Sequence, residues 1–405
     1  MSETLLLSFN FPPHGGGIAR MMGELALRYP PRSLVVSTGA YAGSAESDAA
    51  VPQLVDRVGI RATRLRTVNG LMLWTARAAA LARRHEFGFA WCGELKPAGY
   101  PAWWLSRRHG IPYGVVVHGT ELLLLDHKIR ASRFKRWTAG GLVAGAAVLA
   151  ANSSWTAGVA RRLYELLGRP DLAARVQLVP LGTEPRQFRP GLDTGPVRRK
   201  YGLDGGPWLL TVARLEWHKG IDTVIRALPA VRAAYPGTRY AVAGVGPRRA
   251  ELDRIAGEAG IRHAVEFLGF VPDDDLPALY NAADLYVGAS RYHDLLVEGF
   301  GISLVEASAS GVAVVGGRSG GVPDAVRDGE TGILVDPGNP EAVAAGINRL
   351  LGDDALRERM GAAGRRAVET YYNWDRVCRD LMRIDGEFRR RDGGVGGGER
   401  ELHRA

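Results

Sequence analysis

The run Trp208-Leu-Leu-Thr-Val212 continues through Ala-Arg214-Leu-Glu-Trp-His-Lys219-Gly220 into Ile221–Tyr235. Its first five residues form a continuous apolar run, the pattern of a strand covered on both faces. The middle is charged and closes on a glycine. The last part places Ile221, Val224, Ile225, Leu228 and Val231 at intervals of three and four, one apolar face of a helix. Strand, turn and helix follow in that order. This is a βα unit.

The same unit recurs in both directions. Upstream, the candidate strands are Leu5–Phe9, Leu34–Ser37, Phe87–Trp91, Tyr113–Val117, Ala146–Ala150 and Val176–Val179. Downstream they are Tyr240–Ala243, Val265–Leu268, Leu285–Val287, Val312–Val315 and Gly332–Val335, with helical patterns such as Arg248–Ala259 and Glu341–Leu351 between them. Alternation of this kind calls for an α/β protein of doubly wound parallel sheets, with ligands at the carboxyl ends of the strands. The period breaks where Pro, Gly and Arg crowd together at Pro185–Pro196. Two Rossmann-like domains are therefore expected, 1–187 and 188–370. A terminal helix, Tyr371–Arg390, follows, and then a Gly-rich flexible tail, 391–405.

Composition narrows the function classes. The 405 residues are 46% hydrophobic and 23% charged, which excludes a disordered chain. Two cysteines are too few for a disulfide framework or a Cys-rich zinc site, and suit a reducing compartment. The formal charge of +9 points to an anionic partner, but it is not gathered into one block, which argues against nucleic acid. No stretch reads as an export signal or a membrane span, so a cytoplasmic protein is expected, at most peripheral on the inner face of the plasma membrane.

Five motifs sit at strand-to-helix turns. In Glu298-Gly-Phe-Gly-Ile-Ser-Leu-Val-Glu306, two carboxylates eight positions apart on one helix would stand about 80° apart after whole turns. Placing Glu298 in the loop and starting the helix near Gly301 instead gives free amides at its N-terminus, an anion site, with Glu306 further along. Arg214 and Lys219, five apart, can turn to one diphosphate. Gly15-Gly16-Gly17 permits close backbone approach, although it has neither dinucleotide-fingerprint nor P-loop spacing. His118-Gly119 ends the strand Tyr113–Val117, and Ser319-Gly-Gly-Val-Pro-Asp324 follows Val312–Val315. Asp273-Asp-Asp275 has the look of a metal pair, but it precedes a helix, where Asp is an ordinary N-cap; no metal is expected. Taken singly, each motif also fits a plain capped turn.

Their order and spacing, together with Gly244-Val-Gly246-Pro, resemble family 4 of the retaining GT-B glycosyltransferases over about Leu5 to Arg383. The stretch from Val297 to Val326 is similar to the actinobacterial phosphatidylinositol mannoside mannosyltransferases, which use GDP-mannose. The resemblance implies a GT-B fold, two Rossmann-like domains facing a central cleft, with the terminal helix crossing back to the first domain. It also implies a sugar donor bound without metal and transferred by front-face displacement with retention. Arg214 and Lys219 would neutralise the donor diphosphate, with Gly16 and Gly17 facing the same phosphates. Glu298 and the amides of Phe300, Gly301 and Ile302 would hold the sugar and phosphates, and Glu306 the ribose. The base would lie near Val271 and Leu276, and His118 beside the anomeric carbon. The acceptor would be a lipid, a glycan or a small molecule. In Gly119–Arg136 the chain departs from those lipid enzymes. Leu122-Leu-Leu-Leu125 followed by Arg133-Phe-Lys-Arg136 suits either an anionic membrane contact or a core helix with a solvated basic end. A UDP-sugar donor with a soluble acceptor, and a non-catalytic nucleotide-sugar-binding protein, are the other readings. A phosphorylase would need a pyridoxal-phosphate lysine, and no such site is visible.

Overall fold

A computed structural model describes residues 2–61, 64 and 66–392. The chain divides into two units. One comprises the residues up to Asn152, Thr156–Val179 and the helix Trp374–Asp392; the other comprises Ser153–Trp155 and Pro180–Asn373.

The first unit is built on a seven-stranded parallel sheet: β1 (Glu3–Leu7), β2 (Leu34–Ala40), β3 (Leu54–Arg61), β4 (Phe87–Cys92), β5 (Tyr113–Val117), β6 (Val148–Ala151) and β7 (Val176–Leu178). The strand order is β3-β2-β1-β4-β5-β6-β7. The chain winds outward from β1 on one side and from β4 on the other. The loops after β1 and β4 therefore part in opposite directions, and the crevice between them is the switch point where such sheets take their ligands. The second unit repeats the device with β8 (Trp208–Val212), β9 (Arg239–Ala243), β10 (Val265–Gly269), β11 (Leu285–Gly288), β12 (Ala313–Gly317) and β13 (Gly332–Val335). Its order is β10-β9-β8-β11-β12-β13, so its switch point lies between β8 and β11.

The apolar face read from Ile221 to Val231 is buried throughout, packed with Leu209, Tyr240, Val287 and Val315 of the sheet. Three sequence expectations shift. The first strand ends at Leu7, because Phe9 is drawn into the loop by a hydrogen bond described below. β3 has no counterpart among the expected strands: its Leu-Val-Asp-Arg-Val-Gly-Ile-Arg mixes apolar and charged residues, as an edge strand does, and offers no continuous apolar run. The terminal helix starts at Trp374, since Asn373 turns its side-chain amide back onto the Val368 and Glu369 carbonyls of the preceding helix.

That terminal helix is tied into the first unit by polar bonds, those of Asp385 buried and that of Asp375 exposed. Asp385, fully buried, accepts from Thr4 Oγ1 at 3.0 Å and from the Tyr29 hydroxyl at 2.9 Å, and Arg28 bonds Asp375 at 2.6 Å. Among the described residues no helix is long and apolar enough to cross a membrane.

Candidate functional site

In the second unit Lys219 and Glu298, two of the residues expected at the site, meet at the β8/β11 switch point. After β8 the chain makes a single 3₁₀ turn, Trp217–Lys219, and closes on Gly220 at φ 67°. A Cβ at Gly220 would lie 1.8 Å from the Ala289 carbonyl oxygen. Only glycine lets this turn lie against the end of β11. Lys219 is thereby delivered to the β11 loop, where its Nζ sits 2.6 Å from Glu298 Oε2. Both side chains are largely buried, at 16% and 20% exposure.

Glu298 is held from behind by the Ser319–Asp324 turn. The Gly321 N–H donates to the Glu298 carbonyl at 2.9 Å, and a Cβ on Gly321 would strike the Gly299 carbonyl oxygen at 1.9 Å. Asp324 of the same turn accepts from the Ser154 N–H at 2.9 Å. Beyond Glu298, Gly301 takes φ 103° as the N-cap of helix Ile302–Ala309, the start expected from the sequence. That end has no side-chain cap, so its first amides are presented as donors. Glu306 lies within the helix, buried, and accepts from the Tyr280 hydroxyl at 2.7 Å.

Charges here are strongly coupled. Burial raises the Glu298 carboxyl, but Lys219, bonded to it, together with His218 and Arg214, outweighs burial and leaves its pKa below the usual value. His218 is buried and pushed down to about 4, by desolvation first and by Lys219 second. At neutral pH the turn therefore carries an uncharged imidazole beside an ammonium–carboxylate pair. Arg214 behaves differently. Its side chain is 71% exposed and bonds Glu216 at 2.6 Å. The expected pair of cations is thus split: Lys219 is seated on Glu298 and Arg214 on Glu216, a residue the sequence reading passed over.

The remaining residues expected on the donor side are placed as follows. Phe300 is buried against Tyr372, with ring centroids 6.1 Å apart. Val271 and Leu276 are both buried. Asp275 does occupy the N-cap position of helix Leu276–Asn281, yet its carboxylate makes no cap bond. It accepts instead from Lys200 Nζ at 2.6 Å and the Tyr201 hydroxyl at 2.7 Å.

The first unit has its own cluster at its switch point. Gly16 is the N-cap of helix Gly17–Arg28 at φ 107°, with nothing within 4 Å of where a Cβ would be. The backbone angle, not packing, requires glycine there. His118 Nε2 lies 2.9 Å from the Gly93 carbonyl oxygen. A carbonyl only accepts, which places a proton on Nε2. Next to Gly93 is a residue absent from the sequence reading. Glu94, after β4, accepts from the Phe9 N–H at 2.6 Å, Ser8 Oγ at 3.1 Å and Asn10 Nδ2 at 3.3 Å, all beyond β1. Burial raises its carboxyl to about 7 against these hydrogen bonds. A carboxyl whose folded pKa is raised adds stability at low pH that is lost as pH climbs through 7. Between pH 5 and pH 8 the wild type should lose up to about 3 kcal/mol more stability than Glu94→Gln. Urea-unfolding midpoints across that range read the difference; parallel curves would return the carboxyl to its ordinary value.

With this geometry in hand, three comparisons bear on identity. Residues 194–367 match the family model "Glycosyl transferases group 1". The chain is 32% identical over 382 residues to the GDP-mannose-dependent alpha-(1-6)-phosphatidylinositol monomannoside mannosyltransferase of Mycolicibacterium smegmatis, covering 91% of this chain and 94% of that one. The chain belongs to the group 1 glycosyltransferases. A Mycobacterium tuberculosis enzyme of the same name is 30% identical over 94% of this chain and 97% of its own. Among solved structures, Anabaena HepE in complex with UDP and glucose superposes with a TM-score of 0.75 at 20% identity, covering 95% of this chain and 99% of that one. For this glycosyltransferase that likeness establishes the fold, GT-B, with a Rossmann-like sheet in each unit.

Proposed function

We propose that this glycosyltransferase transfers mannose from GDP-mannose, with retention and without metal, to a hydroxyl of an anionic glycolipid of the phosphatidylinositol mannoside class, working at the cytoplasmic face of the membrane. The observation that carries the donor half is the Lys219–Glu298 pair at 2.6 Å, beside the uncapped helix Ile302–Ala309. Lys219 supplies fixed positive charge for the departing diphosphate, and the exposed Arg214 is free to swing from Glu216 to the same group. The amides of Phe300, Gly301 and Ile302 address phosphate and sugar. Glu298, kept ionised, accepts from a sugar hydroxyl, and Glu306 from the ribose. Val271 and Leu276 border the base. On the first unit we assign Gly16 and Gly17 to phosphate and His118 to the reacting sugar. The choice of GDP-mannose rests on relatives that carry it in their names at 30–32% identity over nine-tenths of the chain.

The acceptor class is supported by a cavity of about 450 Å³ in the first unit. Its walls combine Arg66, Lys96 and Lys128 with Leu71, Tyr100 and Leu124, and with one acid, Glu121, whose carboxylate accepts from the His118 N–H. The Lys96 amine is pushed down by burial and then by Lys128 and Lys135. Cations crowded against one another in a half-apolar pocket are relieved by an anion with an aliphatic body, such as a lipid phosphodiester.

The test is direct. GDP should raise the melting temperature in the presence of a chelator, and UDP should do so less. GDP-mannose should then label phosphatidylinositol monomannoside, with the donor's anomeric configuration kept. A UDP preference, an inverted linkage, or transfer only to soluble sugars would each overturn the corresponding part.

A further inference from the structure

Helix Arg133–Gly145 opens on Arg133-Phe134-Lys135-Arg136-Trp137, and all five residues are exposed. Phe134 is 64% exposed and Trp137 77%. Set three apart, they share one face, with ring centroids 6.3 Å apart. Large aromatic groups left outside together mark a surface that something covers.

The charge around them is equally unbalanced. The neighbouring Arg130 is neutralised by Asp126 at 2.7 Å. Arg133, Lys135 and Arg136 have no ion-pair partner among the described residues. From His127 to Tyr164 the sequence contains no acidic residue. The positive field also reaches inward, since Lys135 acts on the half-buried Lys96. Beside Trp137 a recess of about 430 Å³ is lined by Arg133, Arg136, Leu167 and Arg169, the last paired with Asp171 at 2.7 Å.

Unpaired cations interleaved with exposed aromatic rings match the headgroup layer of an anionic bilayer in both respects. Phosphates satisfy Arg and Lys, and the water–lipid boundary favours Trp and Phe. We propose that the first turn of this helix docks the protein on an anionic membrane surface, the aromatic pair entering the headgroup region while Arg133, Lys135 and Arg136 bind lipid phosphates. The purpose of this contact rests on the lipid-acceptor reading above, but its support does not.

The experiment is flotation of the full-length protein with phosphatidylcholine vesicles, with and without phosphatidylglycerol, in the absence of any donor or mannoside lipid. Wild type should float only with anionic vesicles, and high salt should release it. Two variants, Phe134→Ser/Trp137→Ser and Arg133→Gln/Lys135→Gln/Arg136→Gln, should each weaken partitioning by on the order of tenfold or more. Their melting temperatures should match wild type, because every altered side chain is exposed. Equal binding to neutral vesicles, unchanged binding by both variants, or retention on an oligonucleotide in place of vesicles would each overturn the proposal. So would loss of a self-associated form, by light scattering, as the sole effect of the aromatic variant. Vesicle binding without transfer to phosphatidylinositol monomannoside would leave this contact standing and remove the acceptor reading alone.

Discussion

Replacing Lys219 with alanine is expected to lower turnover by on the order of 10²-fold or more, the cost of losing one preorganised donor to developing charge. The diphosphate gains negative charge as the glycosidic bond breaks, so a fixed ammonium favours the transition state over the bound donor. The loss should therefore fall on kcat more than on donor KM. There is a second consequence. Burial alone drives Glu298 toward its neutral form, and Lys219 is the chief opposing influence. In Lys219→Ala the carboxyl gains a proton more readily, and its hold on a sugar hydroxyl weakens. Glu298→Gln separates the two effects, since it removes the anion and keeps the ammonium. If Lys219 works on the diphosphate, the glutamine variant should be the more active of the two. The kinetic measurement is paired with a melting curve, because breaking a largely buried ion pair also costs stability. Near-normal turnover in Lys219→Ala would reduce the pair to a structural contact.

What the sequence made legible was whatever is local. The βα unit around Trp208, the loop position of Glu298 and the helix start at Gly301 all follow from periodicity and a few residues of spacing. The contacts that organise the site are not local. Lys219 and Glu298 are 79 residues apart, and Glu94 and Phe9 are 85 apart. Each pair meets because the strand order reverses between two parallel neighbours: β8 beside β11, and β4 beside β1. No residue pattern announces strand order, so Glu94 had no signal at all. Tyr280 was equally hidden, a core tyrosine whose hydroxyl reaches Glu306 across 26 positions. Glu216 is the contrary case. It stands two residues from Arg214, and its claim on that guanidinium could have been weighed from spacing alone.

Glu306→Ala is expected to weaken nucleotide binding by on the order of 10²-fold, from two charge-assisted hydrogen bonds of roughly 1.5–3 kcal/mol each, partly replaced by water. The residue is buried in helix Ile302–Ala309 and braced by the Tyr280 hydroxyl at 2.7 Å. A ribose diol offers two donors to a single carboxylate, the arrangement in which fixed orientation contributes most. The ligand can be altered as well as the protein. Wild type should bind 2′,3′-dideoxy-GDP more weakly than GDP by about the factor that separates Glu306→Ala from wild type on GDP. In the variant, GDP and its dideoxy analogue should bind alike, since the partner of the missing hydroxyls is gone. Tyr280→Phe keeps the carboxylate and loses only its brace, so it should retain most of the discrimination. Calorimetry on the two ligands and three proteins closes the cycle. A Glu306→Ala protein that still prefers GDP over the dideoxy form would mean the ribose is held elsewhere.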